Sequence, residues 1–369
     1  MDTFGFIIHP FDSSDIAKKF PFLKRWPSEI LEAMARKSPP ILADHLRGIR
    51  SPYNQIEGWF VATPLTARQM AYLPLPFVLQ KIIAAGKKLE KQGAKVIGLG
   101  AMTSVVGDAG ITIAKHLKAP VTTGNSYTVA TAIHALRKAA RLMGKELKES
   151  QLVVVGATGA IGSICARIMA PDVGGMTLAA RNEQRLSELA SLILRESGKV
   201  AEISTDVRNA VRRADFVITV SGSPDVLIHP SDLKPGAVVC DVARPRDVAR
   251  QVAEVRNDVL VIEGGLVEVP GSYESDLRFG LPHGIVYACM AETMILALER
   301  RYECFTLGRE ITIEQVQEIN RLGEKHGFRL AGLRSYEKAL SEEEIDGVRL
   351  RAKQVMERHQ PMDSEVIHF

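Results

Sequence analysis

Residues 151–163, QLVVVGATGAIGS, constrain this chain more than any other stretch. An apolar strand over Leu152 to Val155 runs into Gly156, Gly159 and Gly162 and then into a helical pattern. Glycines at that spacing permit a sharp turn, a close approach of backbone to a pyrophosphate and tight packing of the helix, whose first amides face the phosphates. A spaced-glycine match alone is weak, but the pattern after it is regular. Strands are expected at 151–156, 175–180, 199–203, 214–220, 237–242 and 258–262, with helices near 160–170, 182–197, 205–213 and 245–255. Six strands with intervening helices make an α/β fold, a Rossmann-like doubly wound parallel sheet. Gly156, Thr158, Gly159, Ala160, Ile161 and Gly162 are then the dinucleotide cradle.

The end of the second strand selects the cofactor. A site for NAD places Asp or Glu there, on the ribose hydroxyls, whereas this chain reads AARNEQR with Arg181 in that place. A guanidinium offers a planar fork to a 2′-phosphate, so NADPH is expected, with Asn182 assisting and Arg185 on the helix surface. Val220, Ser221 and Gly222 end the fourth strand and Gly265 follows the sixth, small residues on the rim of the cleft.

The stretch before residue 151 carries a second unit. Prolines punctuate the first 70 residues and leave their elements illegible, but helical spacing runs from Pro76 to Gly93. A buried strand at 94–99, a loop at 100–110 and a short helix at 111–118 form a βα unit. Thr103 and Ser104 lie at its carboxyl end, where open α/β sheets bind ligands, or else they cap the next turn. TTGN at 122–125 leads into a helix over 126–143 whose Arg137, Lys138 and Arg141 read as a solvated face. A long helix is expected over 282–301, and polar helices near 312–326 and 341–359. The expected division is an N-terminal α/β substrate domain over 1–125, a nucleotide domain over 126–280 and a C-terminal helical segment over 281–369.

Composition narrows the class. Of the 369 residues 46% are hydrophobic and 24% charged, which excludes wholesale disorder and a fibrous repeat. The balance of 47 basic and 43 acidic residues, net +4, is too weak to imply nucleic acid. Four cysteines without a CxxC pair make neither a disulfide framework nor a zinc site, so no metal is expected and a reducing, cytoplasmic compartment is. The N-terminus lacks a secretory pattern, and the longest apolar run, Gly284 to Leu298, is short for a membrane span and contains Glu292.

Cysteine bears on the reaction. Cys165 and Cys240 sit in helix and strand patterns and read as packing residues, and Cys304 has no clear role. Cys289 differs: LPHGIVYACMAETM places it in the first turns of a helix, where the dipole stabilises a thiolate and His283 could assist if the loop folds back. Core packing is the competing reading of the same residue.

GATGAIGS, TLAARNEQRL, TTGNSYTVA, VIEGGLVE and YACMAETMILALE together resemble the long-chain acyl-[acyl-carrier-protein] reductases of cyanobacteria, from about Gly98 to Phe328. The resemblance implies that Cys289 takes the acyl group as a thioester, which NADPH reduces to a fatty aldehyde, with an oxyanion donor among Ser104, Thr103, Asn125 or a backbone amide. It implies a fatty acyl carrier protein or acyl-CoA as substrate partner and an aldehyde-consuming enzyme as a further one. GDAGITIAKHL and LPHG depart from the family pattern, which leaves chain length and carrier open. The architecture also resembles shikimate dehydrogenases and glutamyl-tRNA reductases. The former need a carboxylate where this chain has Asn125-Ser126-Tyr127, and the latter an N-terminal cysteine, absent before Cys165, although DVARPRDV at 241–248 is similar. An NADP-dependent alcohol or hydroxy-acid dehydrogenase and a non-enzymatic NADP-binding sensor are the alternatives.

Overall fold

A computed structural model describes residues 2–19, 22, 24–223, 225–277, 281–336 and 338–359. Its strands β1 (Asp2–Ile8), β2 (Ile41–Arg50), β3 (Gln55–Ala62), β4 (Ile97–Leu99) and β5 (Val121–Thr122) form a sheet in the order β2-β3-β1-β4-β5. All its pairings are parallel except β2 with β3. The second sheet holds β6 (Gln151–Val155), β7 (Gly175–Ala179), β8 (Glu202–Ser204), β9 (Phe216–Thr219), β10 (Val238–Asp241) and β11 (Leu260–Glu263), in the order β11-β10-β9-β6-β7-β8. It is wholly parallel, the doubly wound sheet expected from the alternating pattern. Its inner strands are continuous apolar runs because helices cover both faces.

Strands β12 (Leu266–Glu268), β13 (Ile285–Tyr287) and β14 (Arg329–Leu330) form a small antiparallel sheet. Six helices position the site: α1 (Ser28–Lys37), α2 (Leu75–Lys91), α3 (Asn125–Leu142), α4 (Ala160–Met169), α5 (Glu183–Ser197) and α6 (Ala288–Leu298). The expected helix over 282–301 is therefore shorter at both ends. Ile285 and Val286 pair with β12 instead, and the helix opens only at Ala288, whose N–H donates to the Gly265 carbonyl at 2.8 Å.

Every residue of α6 is buried except Cys289, which is partly so, because the helix is apolar apart from Glu292 and Thr293 and fills the space between α3 and strands β1 and β4. Phe4 and Phe6 of the first sheet, Val154 and Ile218 of the second, and Met294 and Ile295 of α6 belong to one continuous core. The helix expected in a C-terminal segment thus lies within that shared core. It fits against the first sheet only because Gly98 has no side chain: a methyl group there would come within 2.1 Å of Thr293 Oγ1 and 2.4 Å of the Phe6 ring. Gly98→Ala should lower stability by about 2 kcal/mol through overpacking, read from urea unfolding, and an unchanged midpoint would contradict this packing.

Candidate active site

On the nucleotide side, Gly156 has φ +78 and a Cβ there would lie 2.6 Å from the Val220 carbonyl oxygen. A Cβ on Gly162 would meet the Gly156 oxygen at 2.4 Å, so hydrogen alone fits at both positions. Gly159 is the exposed N-cap of α4 and supplies no side-chain cap. The first amides of α4, from Ala160 to Gly162, thus open outward beside Thr158 and Ile161, a cradle suited to a pyrophosphate. Arg181 is exposed at the end of β7 and has no partner among the described residues. Asn182 acts first as a cap, its Oδ1 accepting from the Arg185 N–H at 2.9 Å at the start of α5.

The rim after β9 is held by a carboxylate that no sequence motif marks. Buried Asp247 accepts from Thr219 Oγ1 at 2.6 Å, from the Ser221 N–H at 2.8 Å and from Ser221 Oγ. Burial raises its pKa, opposed by these donors. The Ser221 side chain therefore shapes the loop, and Gly222 faces Val105, so the nucleotide sheet's rim meets the turn that follows β4. In that turn Thr103 Oγ1 donates to the Gly100 carbonyl at 2.8 Å and Ser104 Oγ to the Ala101 carbonyl at 2.7 Å. Both hydroxyls cap the turn, the plainer of the two readings. Gly265, at φ +85, sets the start of α6 through its carbonyl.

Cys289 is the second residue of α6 and partly exposed. Gly124 lies against it: a Cβ on Gly124 would be 2.3 Å from the Cys289 Cα and 2.4 Å from its Cβ. Asn125, next in the chain, is 7% exposed, and its side-chain amide has no hydrogen-bond partner among the described residues. The structure thus brings Asn125 beside the cysteine helix and leaves its donors free. His283 is placed elsewhere, with its ring stacked on Tyr273 and Nε2 2.5 Å from the Tyr273 carbonyl, so it does not assist the thiol.

A second buried carboxylate orients the cysteine helix. Glu292, one turn beyond Cys289, accepts from Thr122 Oγ1 at 2.5 Å, Ser126 Oγ at 2.6 Å and the Tyr127 N–H at 2.9 Å. Burial pushes the Cys289 thiol up to about 12, partly offset by the backbone amides of Met290 and Cys289 and by the Arg244 charge, while Glu292 adds to the rise. Cys165 and Cys240 are fully buried packing residues, in keeping with their sequence setting.

A cavity of about 1180 Å³ opens between the carboxyl ends of β1 and β3, α1, and the loop after β10. Ile8, Phe11, Leu31, Met34 and Ile41 give it an apolar wall, and Arg244, Arg246 and Tyr287 a polar one. Arg244 bonds Glu263 at 3.0 Å and lies 5.3 Å over the ring of Tyr287, two residues before Cys289. Its Nε is buried without a partner among the described residues. His9 lines the same wall, its Nε2 accepting from the Met102 N–H at 3.1 Å. Arg244 and Asp247 both lie in DVARPRDV, which by sequence shows only kinship, and nothing in the sequence marks His9. Among the described residues no helix is long and apolar enough to cross a membrane.

These features define a dinucleotide-binding α/β protein with a thiol at the meeting of its sheets. Residues 137–263 match the family model of shikimate / quinate 5-dehydrogenase. The chain is 28% identical over 362 residues to the aminotransferase PigE of a Serratia species, covering 93% of this chain and 41% of that protein's length. It is 28% identical over 306 residues to the long-chain acyl-[acyl-carrier-protein] reductase of Synechococcus elongatus, covering 79% of this chain and 87% of the relative. Glutamyl-tRNA reductase from Methanopyrus kandleri superposes with a TM-score of 0.29 at 16% identity, over 76% of this chain and 56% of that one. The chain is an NADP(H)-binding Rossmann protein related to oxidoreductases.

A thiol held neutral by burial alkylates slowly at neutral pH, because the thiolate is the reactive form. The rate of Cys289 carboxamidomethylation in the free protein, followed on its own peptide by mass spectrometry, should climb without a plateau from about pH 7 to about pH 10. A plateau below about pH 8 would contradict the buried, protonated resting state.

Proposed function

We propose that this protein reduces an acyl thioester, carried by an acyl carrier protein or by CoA, to the aldehyde through a thioester on Cys289. The observation that carries the reading is the position of Cys289, the one residue of α6 that keeps partial exposure, where Gly124 and the cavity wall at Tyr287 converge. Similarity to a protein named as an acyl-[acyl-carrier-protein] reductase supports it. In this reading residues 1–125 hold the acyl group, 126–280 the cofactor, and 281–369 supply the nucleophile.

The chain's own groups suit each step. Cys289 gives up its proton as substrate enters, and the thiolate adds to the thioester carbonyl and expels the carrier thiol, which leaves protonated. The Asn125 amide is the favoured oxyanion donor, since the hydroxyls of Thr103 and Ser104 are already engaged. The Arg244 guanidinium adds positive charge on the same side. NADPH, when bound across the Gly156–Gly162 turn with Arg181 on its 2′-phosphate, supplies the hydride to the thioacyl carbon. The resulting hemithioacetal on Cys289 takes a proton and collapses, releasing aldehyde and restoring the thiol.

Similarity to an aminotransferase that extends well beyond the matched region points to the fate of the product. An aldehyde is a carbonyl group that an amino-transfer reaction can consume, so an aldehyde-consuming enzyme is the natural partner. We place the reaction in the cytoplasm, where four unpaired thiols stay reduced.

A single turnover with NADPH deuterated at C4 and a palmitoyl thioester should give palmitaldehyde carrying one deuterium. Cys289→Ala should bind NADPH within about twofold of wild type yet form no aldehyde, while deuterated aldehyde from that variant would sink the covalent route.

A further inference from the structure

Helix α1 has two unlike sides. At about 100° per residue, Ala33, Met34 and Lys37 all fall within about 60° of Ile30. Glu32 is about 160° from Ile30, Arg36 about 120°, and Glu29 a little over a quarter turn away. The fold takes the side of Leu31 and Glu32: Leu31 is buried at the cavity, and the Gln69 side chain donates to the Glu32 carbonyl at 3.2 Å. The Ile30 face is therefore turned outward. Ile30 and Met34 are 46 and 47% exposed, and Ala33 and Lys37 are exposed beside them.

This outward strip runs into the cavity. Met34 lines the cavity as well as the surface, and so does Phe22, which is 75% exposed, so the two stand at its mouth. The segment leading into α1 adds exposed Lys24, Arg25 and Trp26.

We infer that the outward face of α1 rests on an anionic lipid bilayer, with the cavity mouth against the lipid. The ten residues of α1 span about 15 Å, too short to cross a membrane, and a helix with one apolar strip bordered by long cations lies in the plane of the interface. Lys37 can bury its stem beside Ile30 and extend its ammonium group to the headgroups. Trp26 has the side chain that a membrane–water boundary favours. No carboxylate lies on the strip to oppose a negative surface, since Glu32 turns toward Gln69 and Glu29 toward the flank. An acidic protein would find Lys37 as the single cation on the strip, with Arg36 on another side. One face of so short a helix is also far smaller than the roughly 800 Å² that each partner of a stable protein complex buries. The surface stands on this geometry; its use, which is to open an acyl-binding cavity onto lipid, rests on the proposed reduction.

The probe is sedimentation of the full chain with vesicles of phosphatidylglycerol and, in parallel, of phosphatidylcholine, at about 100 mM salt. Partition into phosphatidylglycerol should exceed that into phosphatidylcholine at least about fivefold. It should carry a blue shift of tryptophan emission that Trp26→Phe removes. Ile30→Glu should lower the partition at least about tenfold, through loss of apolar contact and a new negative charge. Lys37→Glu should lower it at least about threefold. Both variants should keep the wild-type NADPH affinity and urea midpoint. No sedimentation of the wild type, or equal sedimentation of wild type and both variants, overturns the inference. So does a dimer in solution that Ile30→Glu dissolves, or binding of a palmitoylated acyl carrier protein that Ile30→Glu abolishes while vesicles leave the chain in the supernatant. Aldehyde formation without vesicle binding would reject this surface and keep the proposed reaction, and vesicle binding without aldehyde formation would do the reverse.

Discussion

The buried carboxylate of Glu292 ties the two halves of this molecule together. Its three donors come from the end of β5 and the first turn of α3, so a single side chain pins the cysteine helix to the point where the first sheet hands over to the nucleotide unit. A carboxylate with no exposed surface needs such a set of donors, since an unpaired charge there would be strongly destabilising. Once α6 is fixed in that way, Gly124 must lie against Cys289, and Gly98 must lie under Thr293. The position of the thiol then follows from packing.

The same packing carries a chemical consequence. A thiol packed this closely is held in its neutral form, and the amides at the start of α6 only partly offset the cost of burying a thiolate. A thiol kept in that form resists adventitious oxidation, because the thiolate is the reactive species. Across the cleft, Asp247 does for the rim of the nucleotide sheet what Glu292 does for the cysteine helix. It gathers Thr219 and Ser221 so that the small residues after β9 present a fixed edge.

The nucleotide sheet is legible in the sequence because each of its strands is a short apolar run ended by a turn, and the glycines of the first turn are forced by backbone contacts at Val220 and Gly156. The first sheet is opaque for physical reasons as well. β2 is broken by register shifts between Leu42 and Asp44 and between Leu46 and Ile49, so its alternation is lost, and β1 is buried along nearly its whole length. Helix α6 is shorter than its apolar pattern because Ile285 and Val286 suit either a buried helix or a strand, and only their pairing with β12 decides. Ser104 does follow the carboxyl end of β4, as its place in the sequence indicates, but which carbonyl its hydroxyl meets is a matter of tertiary geometry. Asn125 stands out in the sequence only as the residue before a helix, and its free amide beside the cysteine helix becomes visible in three dimensions.

The proposed reaction turns on covalent acylation of Cys289. Intact mass spectrometry of the protein after incubation with palmitoylated acyl carrier protein in the absence of NADPH tests it directly. A single palmitoyl-sized adduct that maps to Cys289 and disappears when NADPH is added is the expected result. Absence of any adduct under conditions where NADPH and the carrier both bind would contradict it.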